Sequence, residues 1–180
     1  ATAEEMQIKR QPVDECVQYI SDLLDESYAD LPTSIRVKGE YGRIDKAINR
    51  ALKAKLLLMA ASPLFNGNPD YANFKDEEGN PYFNPVEDAT KWEKAAEAAK
   101  QAIDDATNAS HDLFYFDQSM SGFKLSETSL IQMSIRHAVC ERWNKEIVWG
   151  LSDSRATTMQ NYCMPRLTNE MTLTLCYAAL

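Results

Sequence analysis

Between Gly42 and Pro63 runs an unbroken stretch rich in alanine, leucine and lysine, Arg43-Ile44-Asp45-Lys46-Ala47-Ile48-Asn49-Arg50-Ala51-Leu52-Lys53-Ala54-Lys55-Leu56-Leu57-Leu58-Met59-Ala60-Ala61-Ser62. These are strong helix formers, and the stretch predicts a helix from about Arg43 to Ser62. Pro63 stops it, because proline disfavours helix at the residue before it. Ala47, Ala51, Ala54 and Ala61, with Leu58, fall on one stripe at helical spacing. Small side chains let a second helix approach closely. The stripe therefore demands a helical partner, and the rest of the chain must provide it.

Two further stretches read as helices. The first runs from about Pro12 to Ala29, with Asp14 and Glu15 in its first turn and Val13, Val17, Ile20, Leu24 and Tyr28 as its apolar face. The other opens on Thr90 and Glu93, a capping-box pair, and repeats the small-residue stripe through Ala95, Ala99, Ala102 and Ala106 before ending at Asn108-Ala109-Ser110. The expected fold is all-α, tetratricopeptide-like helical hairpins with long loops and little or no strand. Glu146-Ile147-Val148-Trp149 reads as a short strand or extended segment. The tail from Thr168 to Leu180 has helical composition.

The loop from Leu64 to Ala89 is long for a compact domain, and such loops are often functional. Its turn signals, Asn66-Gly67-Asn68-Pro69 and Glu78-Gly79-Asn80-Pro81, alternate with aromatic residues. Aromatic rings stack on the C–H faces of sugars, and Asn and Asp side chains bond hydroxyls. Asn68, Asp70, Tyr71, Phe74, Asn80, Tyr82 and Phe83 (with Asn73) are thus candidate ligand-binding residues, or the rings pin the loop onto the helices. Asp76-x-Glu78-x-Asn80 lacks the pattern of an EF-hand and reads as a solvated acidic turn.

Other chemistries find little support. A net charge of −8 argues against nucleic acid as a partner. The chain carries no long apolar run and no signal peptide at Ala1. Cys16, Cys140, Cys163 and Cys176 are scattered, without a Cys-x-x-Cys pair, and read as buried free thiols. His111 and His137 are isolated, Asp104-Asp105 reads as a solvated face, and 6 glycines make no phosphate loop. No catalytic, metal or cofactor site is legible.

Four segments carry a resemblance to a known family. Gly42-Arg43 with the alanine-rich helix and Ala61-Ser62-Pro63-Leu64-Phe65-Asn66 is similar to the central signature of the SusD/RagB-like outer-membrane nutrient-binding lipoproteins. Pro12-Val13-Asp14-Glu15-Cys16-Val17-Gln18-Tyr19-Ile20 resembles the helix before it, Trp92-Glu93-Lys94-Ala95-Ala96-Glu97-Ala98-Ala99-Lys100 the helix after it, and Asn144-Lys145-Glu146-Ile147-Val148-Trp149 a later segment. The resemblance implies a tetratricopeptide-like scaffold at the cell surface, lipid-anchored in the outer membrane. It implies a TonB-dependent SusC-like transporter as partner, an oligosaccharide or peptide as ligand, and no enzymatic activity. An alternative is a tetratricopeptide-like interaction scaffold without a small ligand. Residues 1–150 form the matching region, and residues 151–180 a poorly matched tail. Family members are longer and carry a lipid-modified cysteine, which Cys16 is not, so a fragment or truncated product is expected, with the anchor outside this chain.

Overall fold

The computed structural model describes residues 9–35 and 37–150. Within them, long irregular segments link four α-helices: α1 (Val13–Tyr28), α2 (Lys46–Ala61), α3 (Thr90–Asn108) and α4 (Glu127–Cys140). The described residues up to Trp149 cluster as one compact unit. The tail of helical composition from Thr168 to Leu180, with Cys163 and Cys176, lies outside the described residues. No sheet occurs among the described residues, where strand pairing is limited to an isolated antiparallel bridge between Lys75 and Pro81. The all-α expectation holds. Of the strand or extended segment anticipated at residues 146–149, no strand forms; a turn at Glu146 and bends at Val148 and Trp149 flank Ile147.

α2 starts at Lys46, later than its composition suggested, because Asp45 is extended and its carboxylate accepts from Ile48 N at 3.0 Å. That satisfies one of the free N–H groups of the first turn. α2 packs along α3, and α1 lies on α2. Ala47, Ile48, Ala60 and Ala61 are buried on α2, and Ala95 and Ala98 on α3. Leu58 is exposed, although it sits on the expected stripe. On α3 the contact row runs through Ala95, Ala98 and Ala102, leaving Ala99 exposed. α3 has alanines on several faces, so small size alone did not determine which face turns inward. On α1 the inward position is Ser21, while Ile20 is exposed. The small serine lets the α1 backbone approach α2.

The anticipated capping box at Thr90 does not form. Ala89 occupies the N-cap without a side-chain bond, and Asp88 accepts instead from Thr90 N (2.9 Å) and Thr90 Oγ1 (2.7 Å). Asp88 is itself fixed by buried Asn66, whose Oδ1 accepts from Asp88 N at 2.8 Å and whose Nδ2 donates to Asp88 O at 3.0 Å. One side chain thus ties the end of α2 to the start of α3. At the other end of α3, Ser110 N donates to Thr107 O and His111 N to Ala106 O, the paired bonds of a Schellman motif. Ser110 takes the left-handed conformation that glycine usually supplies there, with φ 71°.

A polar cluster crosses the three packed helices, and it corrects the reading of Asp105 as solvated. Tyr28 Oη donates to Asp105 Oδ2 at 2.8 Å, and Arg50 Nη1 donates to Asp25 Oδ1 at 2.7 Å. The Arg50 guanidinium also covers the Tyr28 ring, 4.0 Å from its centroid. The bond to Asp105 raises the Tyr28 hydroxyl above its ordinary 10.0. Bonds from Lys53, then Arg50, hold Asp25 below 3.8 although burial opposes them. Asn49, buried between these groups, donates to Leu24 O at 3.0 Å and Ser27 Oγ at 3.1 Å. Cys16 and Cys140 are exposed free thiols, not the buried ones expected.

Candidate functional site

The loop from Leu64 to Ala89 is ordered by its own side chains. Asn68 Oδ1 accepts from Asp70 N, and Asn68 Nδ2 donates to Leu64 O. Asp76 Oδ1 accepts from Glu78 N at 2.9 Å and Asn80 N at 2.7 Å, and Asn80 Nδ2 donates to Asp76 Oδ2. These bonds, with the Asn80 side chain the largest contributor, hold Asp76 below the ordinary carboxylate value. The aromatic residues meet one another. Tyr71 stacks on Phe83 with centroids 4.4 Å apart, Phe83 faces Phe65 at 6.0 Å, and Phe74 tilts against Tyr82 at 5.0 Å. Arg10 lies over both Phe74 and Tyr82. Of the seven candidate residues, the four rings form this cluster, Asn68 and Asn80 close turns, and Asp70 is exposed.

A second concavity lies where the segment before α2, the end of α3 and the segment after α4 meet. It encloses about 280 Å³, near the lower end of ligand clefts at about 300–1,000 Å³. Tyr41, Trp143 and Trp149 supply its rings, Ile48 its apolar floor, and Asp45, Ser110 and Lys145 polar groups. Trp149 Nε1 donates to Gly42 O at 3.1 Å, closing one side. Asp112 N and His111 Nδ1 both bond Lys145 O at 3.1 Å, closing another. A carbonyl only accepts, so the His111 proton sits on Nδ1. Asn144 secures the preceding turn, donating to Ala138 O and Glu141 O at 2.9 Å each and accepting from Glu146 N.

Sequence reasoning missed this cleft. Its rings are distant in the chain, and the segment that carries Trp143 into it turns through a left-handed backbone, φ 56°, that no local motif announces. A third concavity, an apolar groove of about 630 Å³, runs between α4 and Leu113-Phe114-Tyr115-Phe116. Along it Ile131, Ile135 and Val139 lie exposed on one face of α4, Val139 to 85%. Among the described residues, no group of three or more His, Cys, Asp or Glu side chains is placed to hold a metal ion. No helix among them is long and apolar enough to cross a membrane.

Fold and cleft together define an all-α helical-hairpin scaffold with aromatic concavities. No protein-family profile matches the chain, and no curated protein matches it. Among solved structures it is similar to BT4246 of Bacteroides thetaiotaomicron, with 33% identity and a TM-score of 0.73 over 85% of this chain. A structure titled selenomethionine BT4246 matches over 81% with the same 33% identity and a TM-score of 0.67. The chain spans 29% and 28% of the length of these two neighbours.

Proposed function

We propose that this chain belongs to a SusD/RagB-like nutrient-binding protein. Such a protein captures an oligosaccharide at the cell surface and delivers it, chemically unchanged, to a SusC-like TonB-dependent transporter. One observation carries the reading: two of the segments that resemble the family meet directly, and the signature is tied to the entry of the helix that carries a third. Trp149, closing the Asn-x-Glu-Ile-Val-Trp segment, bonds Gly42, which opens the alanine-rich signature. Asn66, closing that signature, holds Asp88 at the entry to α3. Similar segments meeting in this way support one shared architecture over four chance resemblances. The likeness to a Bacteroides protein supports it from a separate direction.

The exposed face of α4 favours a second reading, a scaffold that binds only proteins. Affinity purification of the protein from its native membranes separates the two. Recovery of a TonB-dependent transporter is expected. Recovery of other proteins without any such transporter contradicts the proposal and favours the scaffold.

A further inference from the structure

We infer that the cleft walled by Tyr41, Trp143 and Trp149 is a subsite for a single ring of a neutral oligosaccharide; this rests on the proposed nutrient-binding role. Backbone conformation gives the first argument. Among the described non-glycine residues, Ser110 and Trp143 have positive φ and both line this cleft; Ser110's belongs to the Schellman turn that ends α3, which leaves Trp143 as the position no helix cap explains. A bulky aromatic side chain is rare in that region, and strained residues cluster at ligand sites. Glycine would make the same turn without strain, and asparagine with less. A tryptophan there places its indole in the cleft, 5.3 Å from the Tyr41 ring and tilted 57° to it.

The lining chemistry gives the second. Trp149 is half exposed although its indole N–H is anchored, so ring surface remains open to solvent. Asp45 is only 5% exposed and brings a carboxylate to the cleft wall; its Oδ1 already caps α2 by accepting from Ile48 N, which leaves Oδ2 to offer a ligand. Open indole surface suits the C–H face of a pyranose, and a carboxylate accepts from sugar hydroxyls. Charge argues for a neutral ligand. Arg43 at the rim is paired with Glu40 at 2.8 Å, and the lining carries both the Lys145 ammonium and the Asp45 carboxylate, so neither sign dominates. Among the loop rings, Tyr71 and Phe83 cover each other's faces, and Phe74 tilts against both Tyr82 and Phe83.

The test titrates the full chain with maltoheptaose, cellohexaose, xylohexaose and mannohexaose, by calorimetry and by acrylamide quenching of tryptophan emission. At least one oligosaccharide is expected to bind and to reduce quenching. Trp143→Gly should weaken that binding about tenfold or more; glycine accepts the left-handed backbone, which offsets part of the packing lost against Tyr41, so the variant should still unfold cooperatively. Binding that Trp143→Gly leaves intact, or quenching unchanged at saturation, overturns the subsite. If Tyr71→Ala then abolishes binding, the nutrient-binding reading survives with the loop as its site. Failure of all four oligosaccharides to bind the unaltered chain overturns the subsite, whereas recovery of the transporter from native membranes judges the nutrient-binding role independently.

Discussion

Replacing Gly67 by alanine tests how the α2–α3 hairpin is closed. Gly67 has φ 74°, where an L-residue is strained by roughly 1–2 kcal/mol. A Cβ there would also lie 2.7 Å from Glu87 N and 2.9 Å from its Cα. Those are backbone atoms, so the contact is relieved only by moving the segment that carries Asp88 to Asn66, and overpacking of this kind costs about 1–3 kcal/mol. Lost flexibility in the unfolded chain offsets about 0.4–1 kcal/mol. The net expectation is destabilisation of about 2–4 kcal/mol, or a melting point lower by roughly 4–15 °C. Two other glycines separate the contributions. Gly79 has φ 90° but nothing within 4 Å of where a Cβ would stand, so its alanine variant should lose only about 1 kcal/mol. Gly39 has no positive φ and equally open surroundings, so its variant should be neutral within about 0.5 kcal/mol. Urea unfolding followed by far-UV circular dichroism ranks the three. Gly67→Ala no more destabilised than Gly79→Ala would refute the steric argument.

Other perturbations probe the remaining joints. Asn66→Ala strips partners from Asp88 N and O, and a loss of about 2–3 kcal/mol is expected in the same unfolding assay. Ala98→Leu should destabilise by about 1–3 kcal/mol while Ala99→Leu stays within about 0.5 kcal/mol; the reverse order would restore the stripe expected from the sequence. For pH, Asp25 and Asp88 are both held below their ordinary 3.8, by Lys53 and Thr90 first. A depressed carboxylate contributes stability that is fully present above its unfolded value and lost as pH falls through the folded one. Urea midpoints should therefore drop as pH falls below about 3.8, and Asp25→Asn should shallow that drop.

How far the sequence could be read followed from how local each determinant is. The four family-like segments and the first three helices depend on periodicity and on breakers such as Pro63, all visible in the chain. The face a helix turns inward depends on what lies opposite, so Ser21 displaced Ile20 and Ala98 displaced Ala99. Capping was misread for a related reason. Thr90 and Glu93 fit a capping box, but Asp88, fixed from a distance by Asn66, took the free N–H and hydroxyl. Asp105 looked solvated because its partners, Tyr28 and Arg50, sit on other helices. The cleft was least legible of all. It joins Tyr41 to Trp143 and Trp149 through left-handed turns that only the folded chain displays.

The central claim, capture of an oligosaccharide without chemical change, is tested most directly by calorimetric titration of the full-length protein against glycan and peptide panels, with the recovered ligand analysed afterwards. Saturable binding of a glycan that is recovered intact is the predicted result. Binding to no member of either panel, or cleavage of any glycan, would contradict it.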